Sequence, residues 1–217
     1  MCNMASFVVT QTKTYWSKTS DNHREIIAEF NLGSLDTMDA VDLVRCEVTP
    51  PDGDFSKSLA DWKFSLDQDM LPEWYNAEWT EVQCREVLVD WAAFKIISEG
   101  RRELGEGSYI IIGNATVEAG GNATVKAWGN ATVKAWGNAT VEAWSNATVE
   151  AWSNATVEAG GNATVEAWSN ATVKAWDNAT VNSYGRNPVT FTGLAVWIDR
   201  NTNTIHARET FKIEVIA

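Results

Sequence analysis

Asn114-Ala-Thr-Val-Glu-Ala-Gly-Gly121 and Asn122-Ala-Thr-Val-Lys-Ala-Trp-Gly129 open a run of nine tandem octapeptides that ends at Gly185. Each copy begins Asn-Ala-Thr-Val. The fifth position is Glu118, Lys126, Lys134, Glu142, Glu150, Glu158, Glu166, Lys174 and Asn182. The seventh is aromatic at Trp128, Trp136, Trp144, Trp152, Trp168, Trp176 and Tyr184, with Gly120 and Gly160 interrupting. The eighth is Gly, Ser or Asp, residues that form turns. A period of eight with a turn former at each junction does not fit a helix of 3.6 residues per turn. It fits a short strand and a corner. Side chains alternate faces along a strand. The charged fifth position faces solvent, so Thr and Trp face out with it, and Ala, Val and Ala face in. Asn is expected at the corner, where it tolerates unusual dihedrals and bonds local backbone.

Stacked coils bring equivalent residues one strand spacing apart. Two octapeptides per coil give the columns Glu118–Lys134–Glu150–Glu166 and Lys126–Glu142–Glu158–Lys174, with four opposite-charge neighbours and two like. Three per coil give three opposite and two like. Like charges directly opposite destabilise a ladder, and a core of Ala and Val suits two closely packed sheets. The two-sided coil is favoured on both counts. Glu106–Gly113 reads as one degenerate octapeptide. Arg186–Gly193 puts Val189 in the register of the repeat valines and Phe191 at the inward sixth position, as a plug. Leu194–Asp199 and Thr204–Ile216 read as closing strands.

Residues 1–105 are not repetitive. Ser6–Thr14, Glu25–Asn31, Asp42–Thr49 and Asp61–Asp67 read as strands, and one amphipathic helix follows the N-cap Asn76 to about Ile97, with Cys84, Leu88, Trp91 and Phe94 along one stripe. The fold class is therefore mainly β: a short octapeptide β-solenoid over 106–193, a small α+β N-terminal domain over 1–105 and a C-terminal β cap over 194–217.

The net charge is −12. Residues 34–81 hold 12 acids against Arg45, Lys57 and Lys63. A field of that sign repels nucleic acid and attracts basic surfaces. No apolar run approaches the ~20 residues of a membrane span, no signal peptide is read at Met1–Met4, and Cys2, Cys46 and Cys84 suit neither a disulfide framework nor a metal site. A reducing cytoplasm is the expected compartment.

No catalytic motif stands in the sequence. His23 and His206 are each isolated from Cys or carboxylate at ligand spacing, so neither a metal nor another cofactor is expected. Asp67 with Asp69, or Asp52 with Asp54, reads as solvated surface. Each Asn-Ala-Thr is formally a glycosylation sequon, but glycans at strand spacing would collide. The Thr column lacks the flat array that ice binding needs, because charged side chains flank it. Two features point to binding. The first is the acidic surface of Asp36, Asp39, Asp42, Asp52, Asp54, Asp61, Asp67 and Asp69. The second is the ladder of Trp128, Trp136, Trp144, Trp152, Trp168 and Trp176, either stacked on itself or forming a contact face, since aromatic residues dominate interface hot spots.

The octapeptide run resembles repeat proteins encoded by bacteriophages and by gut bacteria carrying prophages, and Asp61-Trp-Lys-Phe-Ser-Leu-Asp67 with Pro72-Glu-Trp-Tyr75 is similar to the N-terminal domains that accompany such repeats. The resemblance implies a phage context, a bacterial host cytoplasm and no enzymatic activity. The resulting expectation is a non-enzymatic acidic inhibitor of a bacterial defence or nucleic-acid-handling protein, of the anti-CRISPR or nucleic-acid-mimic type. Its partner would be a bacterial protein with a basic surface. Neither direct nucleic-acid binding nor a membrane is expected. The alternative is an assembly protein, with the solenoid joining a second copy of the chain.

Overall fold

The computed structural model describes residues 4–33 and 42–207. The chain divides into two compact units, Met1–Ile96 and Ile97–Ala217.

In the second unit, every octapeptide contributes a four-residue strand from its third to its sixth position, β8 (Thr116–Ala119) through β16 (Thr180–Ser183). Strands pair in parallel with the copy 16 residues away: Val133 lies beside Val117 on one side and Val149 on the other, and Val141 lies between Val125 and Val157. The coil thus holds two octapeptides, and odd and even copies build separate sheets. Before the repeats stand β5 (Ile96–Ile97), β6 (Arg101–Leu104) and β7 (Ser108–Ile111); after them stand β17 (Val189–Phe191), β18 (Val196–Asp199) and β19 (Thr204–Ala207). Since β6 already pairs in parallel with β8, and β18 with β16, the solenoid extends beyond 106–193 in both directions. β19 turns back, antiparallel to β18.

The core of this unit is made as the alternation requires. The inward Ala, Val and Ala of the copies from Ala115 to Val181 are at most 2% exposed. Phe191 takes the register of Ala175, and Val189 that of Val173. One expectation needs correcting. The left-handed backbone at the corner is carried by the eighth residue, not by Asn: Gly129 has φ 71° and Ser145 φ 57°. The asparagines instead stack along the axis, Asn130 Nδ2 donating to Asn114 Oδ1 at 3.1 Å and Asn178 Nδ2 to Asn162 Oδ1 at 3.3 Å. Each such amide is both donor and acceptor, so a column of them satisfies itself, as in other stacked β structures.

The first unit is an antiparallel sheet with the order β2-β1-β3-β4, formed by β1 (Ala5–Val9), β2 (Thr14–Tyr15), β3 (Val44–Thr49) and β4 (Lys63–Leu66). Two helices pack on it, α1 (His23–Glu29) and α2 (Ala77–Lys95), and all of β1 is buried. Asn76 caps α2 by accepting from the Trp79 N–H. The stripe Cys84, Leu88 and Trp91 is buried, and it ends on Lys95, not on Phe94. The expected strand over Glu25–Asn31 is instead the helix α1. Asn22 accepts from the N–H groups of Arg24 and Glu25, and burial of Ile26 and Ile27 fixes the turn. A local cap and a paired apolar contact outweigh the β preference of two isoleucines.

Candidate functional site

The outward groups of the solenoid engage one another. Trp152 and Trp168 stack with ring centres 5.0 Å apart and planes 10° from parallel, and Trp168 stacks on Tyr184 at 4.9 Å. On the other column Trp128 stacks on Trp144 at 6.3 Å. The two glycines that interrupt the pattern belong to these columns. A Cβ on Gly160 would lie 2.5 Å from Nε1 of Trp176, and one on Gly120 would lie 2.5 Å from Nε1 of Trp136. Across the opening at Gly160, Trp176 reaches Trp144 edge-on at 5.8 Å. The charged column is paired in the same way, with Lys134 Nζ 3.2 Å from Glu150, Lys174 3.0 Å from Glu158, and Lys126 3.8 Å from Glu142. Arg101 pairs with Glu118.

The acidic residues of the first unit do not form one patch. Asp36 and Asp39 lie outside the described residues. Asp42 precedes β3, and Asp67 and Asp69 follow β4 at the same end of that antiparallel pair. Asp52, Asp54 and Asp61 lie in the connection at the other end. The six residues of β3 put about 17 Å between the two groups at roughly 3.4 Å per residue. Asp54 accepts from the Ser56 N–H and hydroxyl, which hold its carboxyl below the usual range, and it lies 3.5 Å from Lys57. Asp42, Asp52, Asp61 and Asp69 are exposed and have no ion pair among the described residues.

Asp67 has a different role. It lies 3.0 Å from Nδ1 of His23, the first residue of α1, whose side chain is 9% exposed. The Asp67 N–H donates to the Arg45 carbonyl, extending the β3–β4 ladder by one residue, and the Gln68 amide clamps the same edge by accepting from the Arg45 N–H and donating to Leu43. Glu47 joins this pair. Along β3, Val44, Cys46 and Val48 are buried while Arg45, Glu47 and Thr49 alternate to the other face. The donor atoms of His23, Glu47 and Asp67 all lie within 4.8 Å of one another. They line a cleft of about 460 Å³ shared with Ser6, Asp21 and Arg45. Burial and then the charge of Asp67 raise the Glu47 pKa, with His23 opposing.

His23 is therefore not isolated: the fold assembles around it carboxylates that its sequence neighbours do not supply. His206, by contrast, stacks on Trp197 at 4.1 Å. Sequence reasoning also missed Lys95. It is fully buried, its Nζ 3.7 Å from Asp21, whose other oxygen accepts the Trp91 indole N–H. Burial pushes the Lys95 pKa down and Asp21 opposes the shift. No described helix is long and apolar enough to cross a membrane. The chain matches no protein-family model, no curated protein and no solved structure.

Proposed function

We propose that this is a non-enzymatic binding protein whose N-terminal unit meets a basic protein surface through its carboxylates, the solenoid being a rigid support. The observation that carries this reading is the contrast between the units. Most of the solenoid's outward aromatics, asparagines and charges have partners within the solenoid, whereas Asp42, Asp52, Asp61 and Asp69 are exposed and unpaired among the described residues. Unpaired carboxylates on a chain of net charge −12 attract cationic surfaces and repel nucleic acid. A bacterial protein that handles nucleic acid offers such a surface. The resemblance to phage repeat proteins supports an inhibitor of the anti-CRISPR or nucleic-acid-mimic type acting in the host cytoplasm. The alternative, an assembly protein joined through the Trp ladder, is weaker because most of the rings already engage one another, although Trp136 and Tyr184 stay exposed.

The test is capture of partners from bacterial lysate by the tagged chain, followed by affinity measurement across a salt series. Screening shortens from about 10 Å at 0.1 M to about 3 Å at 1 M, so affinity is expected to fall with salt. It should also be lost in the triple variant Asp52→Lys, Asp61→Lys, Asp69→Lys, which leaves the Asp67–His23 pair intact, and DNA should compete for the partner. A partner indifferent to salt and to these reversals overturns the reading.

A further inference from the structure

Both ring nitrogens of the buried His23 face acceptor oxygens. His23 Nε2 lies 3.0 Å from the Cys46 carbonyl oxygen. A carbonyl only accepts, so Nε2 carries the hydrogen. In the neutral ring Nδ1 is then a lone pair, and it faces the Asp67 carboxylate oxygen at 3.0 Å. Two acceptors at that distance repel unless a cation stands between or beside them. That cation is either a proton on Nδ1 or a metal ion. One observation favours the metal, and two are compatible with it.

The first is the third ligand. Glu47 brings a second carboxylate into the same cluster, all donor atoms being within 4.8 Å. A proton bridging His23 and Asp67 supplies one positive charge for two carboxylates, whereas a divalent ion supplies two. The second is distance. With metal–ligand bonds of roughly 2.0–2.2 Å, two ligands subtending about 90–110° stand about 3.0–3.5 Å apart, which is the separation of Nδ1 and Oδ2. Glu47 stands at a half-buried position, its carboxylate within 4.8 Å of the other two donors. The third is orientation. An imidazole that ligates through one nitrogen usually donates its other N–H to a carbonyl or carboxylate, which fixes the tautomer and the ring plane. Cys46 supplies that acceptor from the rigid interior of the sheet.

We infer that His23 Nδ1, Glu47 and Asp67 form a divalent transition-metal site, with the remaining coordination positions open to the cleft. One imidazole with two carboxylates suits zinc, while magnesium and calcium prefer all-oxygen sets. Arg24 and Arg45 also line the cleft. The ligands come from α1, from β3 and from the residue after β4, so the ion ties three separate segments of the first unit together.

The experiment uses the full chain stripped with chelator. Calorimetric titration with zinc chloride in excess magnesium should show one site per chain, and the thermal midpoint should rise with zinc, because a ligand that binds only the folded state stabilises it. Asp67→Asn and Glu47→Gln should each weaken zinc at least tenfold and abolish the thermal shift while the metal-free proteins keep the parent's circular dichroism. Nitrogen-15 spectra of His23 should show the metal on Nδ1 and hydrogen on Nε2. Absence of a stoichiometric site, a site unmoved by both variants, or binding through Nε2 overturns the assignment. None of these outcomes touches the partner-binding test, which spares all three ligands.

Discussion

At the corner of each octapeptide but the last a single residue takes a positive φ, and its identity varies between copies. Gly113, Gly129 and Gly137 have φ of 65°, 71° and 70°, while Ser145, Ser153 and Ser169 hold 57°, 58° and 58°. A side chain in the left-handed region costs about 1–2 kcal/mol. Glycine removes that cost but returns about 0.5–1 kcal/mol through the greater freedom of its unfolded chain. Ser145→Gly, Ser153→Gly and Ser169→Gly are therefore expected to stabilise by about 0.5 kcal/mol each. The triple variant should unfold at higher urea with an unchanged denaturant slope. Gly161→Ser should do the opposite, since a Cβ there would stand 2.9 Å from the Ser145 backbone nitrogen. The sequence marked the eighth position as a turn former. It did not reveal which of the two corner residues carries the strain, because asparagine is the more tolerant of the pair by propensity, and here it is held instead by the amide column.

Strands in this solenoid are stabilised or strained by what stands 16 residues away, and one column holds a correctable fault. Glu118, Lys134, Glu150 and Glu166 lie in register across successive coils. Lys134 is paired with Glu150, so Glu166 meets a carboxylate on that side and Asn182 on the other. Glu166→Lys makes the column alternate in sign from Glu118 onward. Cross-strand pairs of opposite charge contribute roughly 0.2–1 kcal/mol and like pairs subtract similar amounts, so a gain of about 0.5 kcal/mol is expected at low salt. It should shrink towards zero at 1 M salt as screening shortens to about 3 Å. A gain that survives high salt would mean that packing of the lysine stem, not charge, is responsible. Elements of this kind were legible because period, register and face follow from one number. The helix α1 was not: seven residues are too few for a period to show, and the deciding contacts, Asn22 with two N–H groups and Ile26 and Ile27 with Val8, are part local and part tertiary.

Across the whole molecule, what could be read in the sequence divides with the units. In the solenoid every neighbour lies at a fixed separation, so the core and both Trp columns follow from the repeat. In the N-terminal unit His23, Glu47 and Asp67 come from α1, from β3 and from the residue after β4, and no spacing rule links them. The acidic list was legible as composition, but the sequence could not show that β3 and β4 would divide it between two ends, or that Asp67 would face a histidine. The same modularity yields a test of the solenoid as a stack of separable coils. Deleting residues 138–153 removes one complete coil and rejoins β10 (Thr132–Ala135) to the corner before β13 (Thr156–Ala159), each still in its own sheet. Within the repeats the charged columns become Glu118–Lys134–Glu166 and Lys126–Glu158–Lys174, which leaves Glu103 beside Glu118 as the like pair. In a quasi-one-dimensional array stability is a sum of repeat and nearest-neighbour contributions, so the shortened chain should fold. Its β-sheet circular dichroism should be retained, and its denaturant slope should be smaller because less surface is exposed on unfolding. Its midpoint should fall by less than burial alone implies, the improved columns offsetting part of the lost coil. An unfolded product would mean that the strands flanking the repeats depend on the full number of coils, and that the array folds as one indivisible body.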